Sequence, residues 1–320
     1  MQRHTERQSI RAFVISLDDA TGTARMETMQ KQCQELDIEC MKVPGVRGTK
    51  LSWRDMDRDA SAACQWACTP SMVGCGASHI KIWKRVVAEN MEYALVLEDD
   101  AVLDPSFKKD TLHALAIVPK DYHILLLGCF MCDASTQHML SRPTTSKAPP
   151  GLRSVSHFGG THAYIISNAG ARHLLGASKG KVSYHIDTQM SSTHGVKIYA
   201  LDTDVAYQAD MKTSSTASYG FPYSINKLLG SIQTDKNIDL AYFYNVGIVR
   251  IGPYHSSHIV VTPWHIFFFL LGLLDAPWMW VGAGAFLDTI GPWTENVSPR
   301  DVAAKAAFFG LGKVLRARIL

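Results

Sequence analysis

Glu98, Asp99 and Asp100 follow directly on the apolar run Tyr93-Ala94-Leu95-Val96-Leu97. Three carboxylates in a row present hard oxygen ligands, the donor type that suits Mg²⁺ or Mn²⁺. Asp187, after Tyr184-His185-Ile186, is a lone acid of the kind that can take a proton from an attacking hydroxyl. Gly74-Cys75-Gly76-Ala77-Ser78-His79 places two glycines ahead of a periodic apolar segment, Ile80, Trp83, Val86 and Val87. Such a turn lets a helix N-terminus approach an anion, with His79 in the first turn. Each feature also has a plain structural reading. The acids can close a strand in water, Asp187 can cap a helix, and the glycines can make a tight turn.

The elements that must position these groups alternate. Residues 93–97 are short and continuously apolar, as in a strand buried on both faces, so the acids stand at its carboxyl end, where open α/β sheets bind ligands. While strand geometry lasts, Glu98 and Asp100 point one way and Asp99 the other, which makes Asp100 the first metal ligand and Glu98 its partner. A tight turn would bring Asp99 round instead. Ala12-Phe13-Val14-Ile15 with Leu17 predicts a strand, broken at Asp18-Asp19 and Thr21-Gly22-Thr23; a helix follows over 25–36 and a strand over 38–43. The spacing further predicts a helix over 53–66 closed by Pro70, a helix over 78–89, and a short helix after Asp104-Pro105. Strands are expected over 122–127, 163–167 and 197–201, with a loop over 141–153 and a helix capped by Asn168.

The composition is that of a globular chain, 47% hydrophobic and 19% charged, ample for a core. A net charge of +3 gives no reason to expect a nucleic-acid partner, and the excess lies in the tail, with Arg300, Lys305, Lys313, Arg316 and Arg318 against Glu295 and Asp301. The polar stretch 1–11 lacks a secretory apolar core, and seven cysteines without a regular framework fit reduced thiols; both favour a cytoplasmic location. Cys64, Cys68, Cys129 and Cys132 could alternatively ligate zinc. From Ser214 the character changes. The apolar runs 259–274 and 278–287, interrupted by Asp275 and Pro277, could span a membrane, lie on it, or form a buried hairpin. Residues 301–320 read as a basic amphipathic helix suited either to anionic headgroups or to docking on a domain.

The order of these segments resembles glycosyltransferase family 25, which includes lipooligosaccharide and procollagen galactosyltransferases. Four blocks carry the resemblance: Phe13-Val14-Ile15-Ser16-Leu17-Asp18; Gly74 to Trp83; Ala94 to Val102; and Gly160-Thr161-His162-Ala163-Tyr164-Ile165-Ile166-Ser167 with Gly170-Ala171 and Leu174-Leu175. Asp187 and Gln208 follow at familiar distances. Ser16, Arg47 and Asp202-Thr203 depart from the family pattern near the donor pocket and leave the donor sugar open.

The resemblance implies a GT-A-like, Rossmann-like α/β fold, a mixed sheet flanked by helices, over 10–213; residues 214–320 match nothing in the family and read from their own composition as a mostly helical apolar extension. It implies inverting transfer of galactose or glucose from a UDP-sugar, with Mn²⁺ or Mg²⁺, to a hydroxyl of a glycan, glycolipid or hydroxylysine. Leu17, Asp18, His79, Glu98 and Asp99 would then contact the donor, Asp100 and Glu98 the metal, and Asp187 would be the base. A catalytically silent binding module is the alternative.

Overall fold

The computed structural model describes residues 10–130, 132, 148–209, 247–252, 259–289 and 299–319. They form two compact units, one of 10–61 with 73–209 and the other of 62–72 with the described residues from 247 onward. The sequence reading put 62–72 in the first unit. The segment joins the second because Arg250 donates from Nε to the Cys68 carbonyl at 3.1 Å and from its guanidinium to the Gln65 carbonyl.

In the first unit β1 (Arg11–Ser16) leads to α1 (Ala20–Glu35) and β2 (Glu39–Pro44). The residues expected to break the chain after β1 instead start the helix: Asp19 is its N-cap and accepts from the Gly22 amide at 2.7 Å. The helix expected over 53–66 is split into α2 (Trp53–Asp59) and α3 (Ala62–Ala67), because Ala60 and Ser61 turn outward to pair with Val182.

The larger correction concerns α4 (Pro70–Ala88), which starts about two turns earlier than the sequence reading placed it. Pro70 opens this helix, as a first-turn proline does, and Thr69 accepts from the Met72 amide at 3.2 Å. The rest of the unit is β3 (Tyr93–Glu98), β4 (Ala101–Leu103), α5 (Phe107–Ile117), β5 (Ile124–Phe130), β6 (Leu152–Val155), β7 (Gly159–Ser167), α6 (Asn168–Ser178), α7 (Ile186–Ser192), β8 (Ile198–Leu201) and β9 (Ala206–Gln208). Ser167, not Asn168, caps α6, accepting from the Gly170 amide at 3.0 Å. The loop read over 141–153 lies outside the described residues up to 147, and its end forms β6.

Seven strands make one mixed sheet in the order β2-β1-β3-β7-β5-β8-β6. β1 is parallel to β2 and β3; β7 is antiparallel to both β3 and β5; β5 is parallel to β8 and β6 antiparallel to it. Strand alternation sends Val14, Leu95, Leu125 and Ile165 into one buried cluster with Met26 and Met29 of α1 and Phe107 of α5. On the opposite face Tyr164 meets Trp83 of α4, both fully buried. β4 and β9 form a separate antiparallel pair in which Ala101 faces Gln208.

Six of the seven cysteines are paired: Cys33–Cys40, Cys64–Cys68 and Cys129–Cys132, with Cα separations of 6.1, 4.6 and 6.1 Å, and Cys75 is free. This corrects the reading of reduced thiols and of a four-cysteine zinc set, since each pair is closed on itself. Two pairs join near neighbours in sequence and the third joins α1 to β2, which the sheet brings together.

The second unit holds α3, the hairpin β10 (Val249–Ile251) with β11 (Ile259–Val261), and three helices, α8 (Pro263–Leu273), α9 (Met279–Thr289) and α10 (Pro299–Ile319). α8 and α10 cross with backbones touching at glycines. A Cβ on Gly272 would lie 2.0 Å from the Phe309 carbonyl oxygen, and one on Gly312 would lie 2.2 Å from that of Phe269. Asp275 ends α8 in the left-handed region, φ 61°, and its carboxylate takes Lys313 at 2.6 Å. No helix among the described residues is long and apolar enough to cross a membrane. Leu274, Trp278, Met279 and Trp280 are nevertheless more than half exposed.

Candidate active site

The site forms where β3 ends. β7 runs antiparallel to β3 with Leu97 facing Ala163, so the first residues of β7 stand beside the last of β3. Thr161 donates its hydroxyl to Glu98 Oε1 at 2.6 Å, and the Gly160 amide donates to Asp187 Oδ2 at 3.0 Å. Gly160 has φ +81°, a left-handed conformation that suits glycine and turns its N–H toward the acid. Strand geometry stops at Glu98, so the alternation expected through Asp100 does not hold and the acids diverge. Asp99 lies beside Ser16 and 3.5 Å from Arg25 Nη1, which also reaches Asp100 at 3.8 Å. The pairing of β4 with β9 delivers Gln208, whose amide donates to Asp100 Oδ2 at 2.9 Å.

Burial and mutual repulsion set the charge states here. Desolvation, reinforced by Glu98, pushes the Asp100 carboxyl up to about 7 despite Gln208 and Arg25. Desolvation also raises Asp99, against Ser16 and Arg25. Burial works on Glu98 in the same direction, but hydrogen bonding from His79 and Thr161 and the neighbouring imidazoles outweigh it and leave this carboxyl below its usual value. The Cys75 thiol is driven up by burial and then by Glu98, Asp187 and Asp100. Asp187 lies in the first turn of α7, where it also accepts from the Thr188 amide at 2.6 Å; the cap position belongs to His185.

α4 explains the glycine block differently from the sequence reading. His79 sits more than two turns inside the helix and is 1% exposed, so it is not at a helix N-terminus that could meet a diphosphate. Gly74 is a point of close approach, because a Cβ there would fall 2.4 Å from the Val46 carbonyl oxygen and 2.5 Å from the Gly48 nitrogen. Ser78 locks the same loop, accepting from the Val46 amide at 2.8 Å. At four-residue spacing, Cys75, His79 and Trp83 share another stripe. Along it His79 Nδ1 is 3.0 Å from the Tyr164 hydroxyl, Trp83 Nε1 donates to that hydroxyl at 3.0 Å, and His79 Nε2 is 3.4 Å from Glu98 Oε1.

Two sets of ligands are conceivable. Cys75, His79 and Glu98 offer ligand atoms within 4.8 Å of one another. Both His79 nitrogens already face partners, however. The carboxylates fit a hard divalent cation better, because Asp100 Oδ1 is buried without a hydrogen-bond partner among the described residues and Glu98 Oε2 accepts no hydrogen bond from them. Leu17 and Asp18 stand apart from the acids in the wall of a cleft of about 280 Å³ at the ends of β1 and β2, with Gly45, Val46, Arg47, Lys50 and Leu51. Asp18 pairs there with Lys42 at 2.8 Å, and Arg47 pairs with Asp19.

The sequence reading missed Arg25, Thr161, Tyr164, Trp83, Cys75 and Gln208 as members of this constellation. Thr161 and Tyr164 stand three positions apart, which strict alternation sends to opposite faces, so the strand pattern did not bring them together beside Glu98 and His79. Arg25 carried no signal, because its reach depends on α1 starting at Ala20.

The family model for glycosyltransferase family 25 (LPS biosynthesis protein) matches residues 9–190. Procollagen galactosyltransferase 1-B of Xenopus laevis is 29% identical over 179 residues, 52% of this chain and 28% of that one. The inactive glycosyltransferase 25 family member 3 of Homo sapiens is 30% identical over 174 residues, 51% of this chain and 28% of its own length. The matched part thus spans little more than a quarter of either relative. Mouse xyloside xylosyltransferase 1, apo form, has a TM-score of 0.32 and 8% identity, covering 60% of this chain and 85% of that chain, a likeness too slight to add to the assignment. The family match takes in β1, the α4 stripe, the three acids, the start of β7 and Asp187, the same residues that the sheet gathers at one edge, and on that match the chain belongs to glycosyltransferase family 25.

Proposed function

We propose that this chain is a metal-dependent, inverting glycosyltransferase with a GT-A-like first unit, transferring galactose or glucose from a UDP-sugar to a hydroxyl of a glycan, glycolipid or hydroxylysine. The observation that carries the reading is that adjacent residues of β7, Gly160 and Thr161, hold Asp187 and Glu98, together with a buried Asp100 whose Oδ1 lacks a partner among the described residues. Asp100 and Glu98 would hold Mn²⁺ or Mg²⁺, which when bound would supply the positive charge that a departing nucleoside diphosphate needs. Arg25, set against Asp99 and Asp100, offsets part of their repulsion before any ligand arrives. Leu17 and Asp18 line a cleft whose size suits a nucleotide, and the reading gives Asp99 a ribose contact.

Asp187 is the base. The acceptor oxygen attacks the anomeric carbon, the bond from that carbon to the diphosphate oxygen breaks with its electron pair, and the acceptor proton passes to Asp187. Each Asp187 oxygen accepts from one backbone amide, Gly160 or Thr188, so the carboxylate is fixed in direction and keeps lone pairs for the incoming hydroxyl. His79 supports Glu98 rather than contacting the donor.

The C-terminal helices extend the proposal. Leu274, Trp278, Met279 and Trp280 form an exposed apolar turn, with Lys313 and Arg316 of α10 facing Asp275 in its midst. Tryptophans beside basic residues suit peripheral contact with an anionic membrane surface, which we place on the cytoplasmic side. The closed cysteine pairs remove the thiol argument for that side.

Isothermal titration of UDP with and without Mn²⁺ tests the donor assignment. Binding that needs both Mn²⁺ and Asp100 is expected; Mn²⁺-independent binding unchanged in Asp100→Asn would refute it. A silent binding module is favoured only if UDP binds in that metal-dependent way and no UDP-sugar is turned over. The name of the human relative makes that outcome worth scoring.

A further inference from the structure

Tyr164 is fully buried, and among the described residues its hydroxyl meets only His79 Nδ1 and Trp83 Nε1, each at 3.0 Å. An indole nitrogen can only donate, so Trp83 must give its hydrogen to the Tyr164 oxygen. The single phenolic hydrogen then has one acceptor in reach, the Nδ1 lone pair of His79. If Nδ1 carried a hydrogen, the phenolic O–H would be buried with no acceptor, a cost of roughly 1–3 kcal/mol. Nδ1 is therefore bare and the imidazole proton is on Nε2, which faces Glu98 Oε1 at 3.4 Å. The same oxygen takes the Thr161 hydroxyl at 2.6 Å.

We propose that Trp83, Tyr164 and His79 form a one-way hydrogen-bond chain that fixes His79 as the Nε2–H tautomer and, with Thr161, occupies Glu98 Oε1 so that Oε2 is presented to the site. These are positioning residues, acting on the reaction only through Glu98. The chain follows from donor inventory alone, whereas its value to a bound cation rests on the function proposed above. It also gives the four-residue spacing of His79 and Trp83 a purpose beyond packing, since it puts both on the helix face that meets one phenol.

The test uses the full chain with ¹⁵N-labelled histidine. Long-range proton–nitrogen NMR at neutral pH should show no hydrogen on His79 Nδ1 and one on Nε2; a hydrogen on Nδ1 overturns the proposal. Tyr164→Phe deletes the donor to Nδ1 and should blur this pattern and weaken Mn²⁺ binding about tenfold, the low end of what outer partners of metal ligands contribute. Trp83→Phe keeps the Tyr164–His79 link. It should lower the melting temperature more than Tyr164→Phe, since it leaves the larger void, yet weaken Mn²⁺ binding less. Equal or greater loss of Mn²⁺ affinity in Trp83→Phe would mean that packing, not direction, matters. Should the wild-type chain bind no Mn²⁺, the cation assignment fails while the tautomer still decides the chain.

Discussion

The acid edge of the sheet and the helices at the C-terminal end treat their exceptional residues in opposite ways. At the edge, polar groups that would ordinarily sit in water are buried: Asp100 is 8% exposed and His79 1%. In the second unit, residues that would ordinarily be buried are out in solvent, Leu274 at 74% and Met279 at 73%. Burying a charge and exposing a large apolar surface both cost stability, and each is tolerated where a ligand or partner offsets it. The two regions therefore point to different occupants, a small charged one at the edge and a broad apolar one at the helices.

The sharpest way to break that contrast is at the edge. Asp187→Asn should lower turnover by about 10²–10⁴ while leaving Mn²⁺-dependent UDP binding intact, measured by UDP release beside calorimetry. Normal turnover would take the base role from Asp187.

The pH dependence of stability separates the regions next. Asp100 titrates near 7 in the folded chain and at its ordinary value of 3.8 when unfolded. Its contribution is thus complete below about pH 4 and is lost as pH rises toward 7, because only the folded state keeps the proton there. Metal-free wild-type chain should lose melting temperature across that window relative to Asp100→Asn, and Mn²⁺ should abolish the difference. Identical wild-type and Asp100→Asn profiles would show that Asp100 is not the strained acid described here.

Within the second unit, Gly272→Ala should separate α8 from α10, costing about 1–3 kcal/mol by denaturant melts. An unchanged melt would contradict the close crossing. The smallest effect concerns the surface itself. Paired Trp278→Ser and Trp280→Ser substitutions should reduce flotation with anionic vesicles several-fold and leave turnover on a soluble acceptor unchanged. Full retention on vesicles would remove the membrane proposal.

Much of the edge was legible because it is written locally. An apolar run ending in Glu98 announces a strand with acids at its tip; that it lies beside β1 is seen only in the sheet. What escaped was set at long range. Ser167 rather than Asn168 caps α6, because the helix follows the strand directly and already takes in Asn168. His79 looked like a first-turn residue since glycines at 74 and 76 imitate a turn, whereas they are small to admit the Val46–Gly48 backbone and the Val182 side chain. The Cys33–Cys40 pair was hidden because it depends on where α1 lies against β2, which spacing does not encode. Gln208 becomes a partner of Asp100 only through a strand pair that joins residues about a hundred positions apart.

The most direct measurement is UDP release from UDP-galactose and UDP-glucose by the purified full chain, with Mn²⁺ and with EDTA, for wild type and Asp100→Asn. Metal-dependent release from at least one donor, abolished by EDTA and reduced at least about 100-fold in Asp100→Asn, is the predicted result. Release that survives both EDTA and the substitution would contradict the account.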